Sequence, residues 1–308
     1  MTPLSDEALS HLELLLAETA GSDRYRLGGE IGRGGMGIVY LAEDTVLKRH
    51  VALKILSHPT TDLEHRLTRE ARILAALEHP GVVPVHDAGL LPDGRLFYAM
   101  KHVNGQRLDE WSQSAHSLAD RLRLFLRICE PVAFAHARNI VHRDLKPENI
   151  MIGSFGEVLV LDWGVAKLLD SASEKDGELA SNGAGTVQGI VIGTPGYMAP
   201  EQSQGSSVDQ RADIYALGRI LQSLDPGAPK RVAAIAARAT QQDPELRYQT
   251  VLDLAADISN YLDGLPMSAY RESLWEIAAR LLSKHQTLVA IIGAYLLMRV
   301  ALFLWFRR

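Results

Sequence analysis

One short segment, residues 141–164, constrains the fold of this chain more than any other part of its sequence. It holds the motif HRDLKPEN at residues 142–149 and the motif DWG at residues 162–164. Between the motifs, the runs IMI and EVLVL flank a turn bounded by glycines, a pattern that predicts a β-hairpin. Because the two strands of a hairpin run antiparallel, Asp162 is expected to return to the side of Asn149.

The polar side chains of this segment fit one kind of chemistry. Asp144 can orient a hydroxyl group and accept its proton, and Lys146 can contact a phosphate. Asn149 and Asp162 offer the oxygen ligands that a hard cation such as Mg²⁺ prefers. The segment is therefore interpreted as the centre of a phosphoryl-transfer site.

A second motif, IGRGGMGIVY at residues 31–40, places Gly32, Gly34 and Gly37 in a GxGxxG pattern. Glycines leave room for backbone N–H groups to approach a phosphate closely. The pattern also occurs in dinucleotide-binding folds, but a helix follows the glycines there, whereas a strand is predicted here at residues 38–42. The motif thus indicates a phosphate-binding turn, with an ordinary hairpin turn as the alternative.

A lysine and a glutamate are predicted to meet beside this turn. Ala52 and Lys54 share one face of the strand predicted at residues 51–56, so a flat base could lie over Ala52 while Lys54 reaches a phosphate. Glu70 falls between Leu67 and Leu74 on the apolar stripe of a predicted helix, where a buried acid is costly unless a cation meets it. We expect Lys54 to be that cation. The alternatives are a solvated lysine on an edge strand and a partly exposed acid.

The order of the predicted elements indicates an α+β fold with two lobes that join near residues 102–105. Before Gly105, short alternating segments predict a small antiparallel sheet with one helix. After Gly105 the pattern is helical, and Pro131 should kink or break the first of these helices. The predicted strands are 25–30, 38–42, 51–56, 82–88 and 96–101, and the predicted helices are 62–78, 118–137, 213–224, 230–242 and 250–262.

The ends of the chain and its composition add further expectations. Residues 5–20 carry an apolar stripe and predict a helix. Residues 288–306 are apolar on all faces, apart from Arg299, and are long enough to span a bilayer; a buried or interfacial helix is the alternative. A net charge of −5 provides no basic surface for nucleic acid, and the single cysteine, Cys129, fits a reducing compartment.

The motifs together resemble the protein kinases of the eukaryotic-like (Hanks) Ser/Thr type found in bacteria, from about residue 25 to residue 262. The resemblance implies a bilobal protein-kinase domain at residues 25–264, with lobes of about 25–103 and 104–264. A helical extension (1–24), a juxtamembrane segment (265–286) and a transmembrane helix (287–306) complete the predicted organisation. The motifs are GxGxxGxV at 32–39, VALK ending at Lys54, REA around Glu70, HRDLKPEN, DWG, GTPGYMAPE at 193–201, DIYALG at 213–218, and Arg247.

The resemblance assigns roles to the catalytic candidates. Asp144 would orient the substrate hydroxyl and accept its proton, and Lys146 would contact the transferred phosphate. Lys54 would pair with Glu70 and with the α- and β-phosphates of ATP. By the same resemblance, Mg²⁺ would be held by Asn149 and Asp162.

Other residues are expected to bind the nucleotide or support the helical lobe. Glu201 resembles the acid that pairs with Arg247, and Asp213 the acid that braces the catalytic loop. Adenine would lie between apolar side chains, and the hinge would supply backbone hydrogen bonds at Val103. The complete predicted nucleotide-binding set is Ile31, Gly32, Gly34, Gly37, Val39, Ala52, Lys54, Val103, Met151 and Leu161.

The implied function is ATP- and Mg²⁺-dependent phosphorylation of Ser/Thr hydroxyls on an unidentified protein substrate. The catalytic domain would be cytoplasmic and tethered to the cell membrane by the C-terminal helix, and a homodimer is left open. Arg143 beside Asp144 suggests control by a phosphorylated loop, because arginine pairs well with phosphate. The loop is predicted at 171–189, and the candidate phosphate acceptors in it are Ser171, Ser173, Ser181 and Thr186. Thr194, shortly after the loop, is a further candidate.

Three departures from the family pattern bear on these expectations. Trp163 stands where the family usually has Phe after the metal-binding acid, and Lys101 stands where the hinge often carries an acid. The segment between Gly218 and Arg247 is shorter than usual, which places the docking of protein substrates in doubt. The shortened segment keeps one alternative open, a membrane-tethered pseudokinase or nucleotide-binding scaffold. A kinase that acts on a small molecule is a further alternative, which the protein-kinase-type segment at 193–201 disfavours.

Overall fold

The computed structural model describes most of the region from residue 24 to residue 270. The described ranges are 24–34, 37–56, 61–91, 94–163, 167–168, 196–203 and 208–270, together with positions 291, 294–299, 302 and 305. The predicted helix at 5–20 and the predicted loop at 171–189 lie outside them.

The first lobe is a five-stranded antiparallel sheet with the strand order β1-β2-β3-β5-β4. Four of the five predicted strands overlap closely with observed ones. The fourth begins later than predicted, at Val85, because Val82 instead forms an isolated bridge with Val160 of the second lobe. The strands are β1 (Tyr25–Gly34), β2 (Gly37–Asp44), β3 (Arg49–Leu56), β4 (Val85–Leu90) and β5 (Leu96–Lys101).

One helix, α1 (Thr61–Ala76), packs against this sheet. Its C-terminal half buries Ile73 and Leu74 in the main hydrophobic core, and Glu70 is buried one turn earlier. An acid therefore lies on the side of the helix that faces the protein interior, as the apolar stripe predicted.

The second lobe is helical. A kink or a break was expected at Pro131; helix α3 (Leu118–His136) continues through this residue, so the break is wrong, and the kink stays a prediction. The N-terminus of α3 is capped by Ser117, whose side chain accepts a hydrogen bond from the backbone N–H of Asp120. The helices of this lobe are α2 (Leu108–Trp111), α3 (Leu118–His136), α4 (Pro200–Ser203), α5 (Arg211–Leu224), α6 (Lys230–Ala239) and α7 (Val251–Leu262).

The predicted β-hairpin is present at the junction of the lobes. Strand β8 (Ile150–Gly153) pairs with β9 (Val158–Val160) and, on its other side, with β6 (Gly105–Arg107). A second small pair joins β7 (Ile140–Val141) to β10 (Lys167–Leu168). The three-stranded sheet forms the floor of the space between the lobes, to which it contributes Arg107 and Met151.

A bilobal α+β architecture is therefore observed. The predicted transmembrane helix at residues 287–306 is not supported, because no helix among the described residues is both long and apolar enough to cross a bilayer. Of that segment, only positions 291, 294–299, 302 and 305 are described, and they are helical.

Candidate active site

A cleft of about 780 Å³ lies between the five-stranded sheet and the helical lobe. Every residue of the predicted nucleotide-binding set lines it, as do the predicted catalytic and metal-binding residues except Glu70, which reaches the cleft through Lys54. The cleft is also lined by residues that were not predicted from the sequence, namely Arg33, Val83, Tyr98, Met100, Lys101, His102, Arg107 and Glu148.

The glycine motif contributes the end of β1 and the start of β2 to the roof of the cleft. Gly34 pairs with Gly37 at the end of the ladder, and Gly32 pairs with Val39. A side chain at Gly37 would collide with the backbone carbonyl of Ile55 on β3, so only glycine allows this close approach of strands. The described part of the motif thus continues into a strand, β2, rather than into the helix that follows the glycines of a dinucleotide site.

Lys54 lies at the back of the cleft and is held by Glu70. Its Nζ atom is 2.8 Å from Oε1 and 2.9 Å from Oε2 of Glu70, and both residues are buried. Burial opposes the charge on Lys54, but the carboxylates of Glu70 and Asp162 raise its pKa above the ordinary value. Burial raises the pKa of Glu70, and the contact with Lys54 only partly offsets this effect.

Asp162 follows Leu161, just after the end of β9, and it lines the cleft. Its Oδ1 atom lies 3.2 Å from Nζ of Lys54, and its backbone φ of +58° is in the left-handed region that few non-glycine residues adopt. Burial opposes ionisation of Asp162, yet Lys54 holds the pKa of this carboxyl below its usual range. The next residue, Trp163, is fully buried and donates a hydrogen bond to the carbonyl of Val160, so it retains a packing role.

The loop 142–149 brings three further polar groups together. Lys146 Nζ lies 2.9 Å from Asp144 Oδ2. The side-chain amide of Asn149 donates to the carbonyl oxygen of Asp144 at 2.9 Å and to its Oδ2 atom at 3.3 Å. The 3₁₀ turn Pro147–Asn149 leads directly into β8, and this fixes Asn149 beside the start of the hairpin.

Asp213 of α5 supports this loop from below. Its carboxylate accepts hydrogen bonds from the backbone N–H groups of His142 and Arg143, both at 2.8 Å, and lies 2.8 Å from Nε2 of His136. Burial opposes the ionisation of Asp213, but these hydrogen bonds hold the pKa of the carboxyl below its usual range. One of these two N–H groups belongs to a strained residue, since Arg143 has a φ of +71°.

Glu201 and Arg247 form a second support in the helical lobe. Arg247 is buried, and its Nη1 and Nη2 atoms lie 2.6 and 2.8 Å from the two carboxylate oxygens of Glu201. Its remaining donors bond backbone carbonyls of the segment before it and of Arg211. The pairing expected from the sequence is therefore observed.

Asn149 and Asp162, the residues expected to hold Mg²⁺, both line the cleft. No group of three or more His, Cys, Asp or Glu side chains in the described parts of the chain could bind a metal. Mg²⁺, however, is usually held in proteins by one or two carboxylates together with substrate phosphates and water. Because the nitrogen of the Asn149 amide is turned toward Asp144, its oxygen is the end that can act as a ligand beside Asp162.

Some lining residues could not be predicted from the sequence, because the register between strands is not encoded in neighbouring residues. Tyr98 and Met100 alternate onto one face of β5, a signal that was visible in the sequence. Only the observed register, Lys54 opposite Tyr98 and Ala52 opposite Met100, shows that this face belongs to the cleft.

Comparison with known proteins identifies one family. The model of the protein kinase domain family matches residues 25–259. The serine/threonine-protein kinase PknD of Chlamydia caviae is 37% identical to this chain, with 79% of this chain and 32% of the relative covered. PknD of Protochlamydia amoebophila is 33% identical (79% and 30% covered), and PknD of Chlamydia trachomatis serovar D is 33% identical (86% and 33% covered). The chain spans about a third of the length of these curated relatives.

Proposed function

Because this chain belongs to the protein kinase family, we propose that it transfers the γ-phosphate of ATP to serine or threonine hydroxyls of proteins, with Mg²⁺. The relatives reported above are named serine/threonine-protein kinases, which supports this acceptor class. The identity of the protein substrate is not part of the proposal.

The observation that carries the proposal is that six polar side chains in and beside the cleft form two groups of direct contacts. Lys54 contacts both Glu70 and Asp162, while Asp144 contacts both Lys146 and Asn149. Phosphoryl transfer depends mainly on positioning and on electrostatic stabilisation, so a prearranged set of charges is what the reaction needs.

Each side chain then has a distinct task. Asp144 would accept a hydrogen bond from the substrate hydroxyl, orient its oxygen toward the γ-phosphorus and take up its proton as transfer proceeds. Lys146 would stabilise the charge on the transferred group, and Lys54 would hold the phosphates further back in the cleft. Asn149 and Asp162 would hold Mg²⁺, which neutralises phosphate charge when bound.

The adenine base would lie in the apolar part of the cleft. Val39 and Ala52 line its roof, and Met151 and Leu161 line its floor. The hinge at Val103 offers backbone donors and acceptors at the edge of this space. We infer that the predicted nucleotide-binding set acts as one site.

A transfer assay tests the proposal. The full chain is incubated with γ-labelled ATP, Mg²⁺ and a generic protein acceptor, beside Asp144→Asn and the control Asp263→Asn, which changes an exposed acid outside the cleft. We expect wild type and the control to label the acceptor on serine or threonine, and Asp144→Asn to lose at least about 100-fold in rate. Equal labelling by wild type and Asp144→Asn would contradict the proposal.

The same assay separates the alternatives of a pseudokinase and of a kinase for small molecules. A chain that binds nucleotide with all active-site residues intact but labels no protein would be a binding module or would need another acceptor. No observation in the structure favours either alternative over protein phosphorylation.

Autophosphorylation and membrane attachment are finer parts of the proposal. The candidate acceptors Ser171, Ser173, Ser181, Thr186 and Thr194 lie outside the described residues, and phosphosite mapping after incubation with ATP tests them. Tethering through residues 287–306 with the catalytic domain in the cytoplasm, where ATP is available, is tested by fractionation without detergent. Recovery of the full chain in the soluble fraction would refute the tether.

A further inference from the structure

A buried tyrosine contacts the catalytic ion pair at a point that the proposed mechanism does not use. Tyr98 lies on β5 directly opposite Lys54 on β3, and only 2% of its surface is exposed. Its hydroxyl group lies 2.7 Å from Oε1 of Glu70, the oxygen that Lys54 also contacts. The Lys54 ammonium lies 5.7 Å from the centre of the Tyr98 ring.

The protonation state of Tyr98 determines which group donates this hydrogen bond. Burial, together with the negative charge of Glu70, raises the pKa of Tyr98 well above its ordinary value, so the hydroxyl keeps its proton and donates a hydrogen bond to Glu70. A hydroxyl buried without a partner is costly, whereas an apolar side chain at this position would pack without that cost. The hydroxyl group of Tyr98 is therefore satisfied by the carboxylate of Glu70 on helix α1.

Lys54 divides its contacts between Glu70 and other partners. Its single ammonium group already contacts Asp162 as well as Glu70, and in the proposed function it must also reach the phosphates of ATP. Tyr98 has one donor, and that donor is committed to Glu70. The rigid ring on a central strand can therefore hold the carboxylate while the flexible lysine side chain adjusts.

We propose that Tyr98 is a positioning residue for the phosphoryl-transfer site, which fixes Glu70, and through it helix α1 and Lys54, in the nucleotide-binding arrangement. The proposal rests on the proposed function. Tyr98 is not assigned a contact with the reacting atoms; it acts through Glu70.

The expected effect of removing the Tyr98 hydroxyl follows from a change in the fraction of molecules in which α1 holds the nucleotide-binding arrangement. Without the hydroxyl, a smaller fraction of molecules holds Glu70 and Lys54 in place, and the apparent affinity for nucleotide falls by that fraction. Saturating ATP selects the competent arrangement, so the maximal rate is retained. Tyr98→Phe should therefore raise the KM for ATP and the Kd of a non-hydrolysable ATP analogue about tenfold, with kcat within about twofold of wild type.

The test uses the full chain with a matched control and a double-mutant cycle. Tyr25→Phe removes a comparable tyrosine-to-carboxylate hydrogen bond, to Asp87 at 2.9 Å, outside the cleft, and should leave KM and Kd unchanged. In a Glu70→Ala background, Tyr98→Phe should cause no further rise in Kd, because its target is gone. Tyr98→Met, which is also apolar, should reproduce the effect of Tyr98→Phe in the wild-type background.

The outcomes separate this inference from the proposed function. If wild type transfers phosphate but Tyr98→Phe leaves KM and Kd within twofold, the inference is overturned. It is also overturned if Tyr98→Phe raises Kd equally with and without Glu70, since that pattern marks a merely structural role. If wild type transfers no phosphate, the proposed function fails while the Kd series still tests the inference; absence of nucleotide binding by wild type would overturn both.

Discussion

Lys54, Glu70 and Arg247 are charged side chains that the fold removes from water, and each is held by several hydrogen bonds rather than by one partner. An ion pair buried in this way contributes little net stability, because desolvation cancels much of the attraction. Breaking one, however, leaves a buried charge without compensation. Such residues are therefore sensitive to substitution even where they contribute little as a pair.

Replacement of Lys54 by methionine tests this argument at the catalytic pair. Lys54→Met should abolish measurable phosphate transfer and lower the free energy of unfolding by about 3 kcal/mol at pH 8. The pKa of Glu70 is already raised in the folded chain and would rise further, so a proton binds the abandoned carboxyl as the pH falls. The stability gap to wild type should therefore shrink as the pH is lowered from 8, in urea unfolding experiments.

Lys101→Met is the matched control, since Lys101 also lines the cleft but is half-exposed and 3.7 Å from Glu157. Its free energy of unfolding should change by less than about 0.5 kcal/mol. A stability gap for Lys54→Met that stays constant with pH would contradict the account of Glu70.

Arg247 offers a test of geometry at constant charge. A lysine cannot reproduce the two parallel bonds to Glu201 or the bonds to the neighbouring carbonyls. Arg247→Lys should therefore lower the free energy of unfolding by about 2–4 kcal/mol, measured by urea unfolding. Arg26→Lys, at an exposed pair with Glu43, should be neutral, and equal effects at the two sites would refute the argument.

At the residue scale, the catalytic candidates could be found from the sequence because their signals are local. The motif around Asp144 is contiguous, and Glu70 interrupts an apolar stripe. The role of Tyr98 could not be predicted in this way, since it depends on the register of β5 against β3 and on the depth at which α1 packs.

At the element scale, most strands and helices were predicted to within a few residues because periodicity and glycine boundaries are strong signals. Two details depended on tertiary contacts. Val82 is not part of β4 but forms a bridge with Val160. Pro131 lies in an unbroken helix, and its ring packs against Gly81. Neither contact is visible within a window of neighbouring residues.

The contact between Gly81 and Pro131 yields a prediction for the joint between lobes. A Cβ atom at Gly81 would lie 2.9–3.1 Å from three atoms of the Pro131 ring, and the carbonyl of Gly81 accepts a hydrogen bond from the N–H of Val160. Gly81→Ala should therefore lower the free energy of unfolding by about 1–3 kcal/mol, as overpacked sites do. Gly29→Ala, where no atom lies within 4 Å of the added Cβ, should change it far less. Thermal or urea unfolding of both variants measures the difference.

At the scale of the whole molecule, one hydrophobic core extends from α1 through the hairpin floor to helices α5, α6 and α7. A second, smaller core lies within the five-stranded sheet and includes Leu53, Ile55 and Phe97. The sequence predicted two lobes from its change of character near Gly105. The way in which the lobes meet followed only from the family resemblance, because interlobe contacts join residues far apart in the chain.

A network of hydrogen bonds surrounds Asp44 at the end of β2, and it makes acid stability a property of the first lobe. Asp44 is fully buried and accepts two hydrogen bonds from Arg24, at 3.2 and 3.0 Å, and two from the backbone N–H groups of Val46 and Leu47. The hydrogen bonds from Arg24, aided by those of the backbone, lower the pKa of Asp44 from 3.8 to about 2. A carboxyl whose pKa is lower in the folded chain than in the unfolded chain stabilises the fold above the unfolded pKa.

Asp44 should therefore contribute about 2 kcal/mol at neutral pH, and this contribution should disappear as the pH falls from about 4 through 2. Asp44→Asn is expected to lose that amount at pH 7 and to converge with wild type near pH 2, in urea unfolding curves recorded across this range. Asp263→Asn, at an exposed position, should follow wild type throughout. Parallel curves for wild type and Asp44→Asn would show that the network stabilises the lobe through shape alone and not through the charge of its central carboxylate.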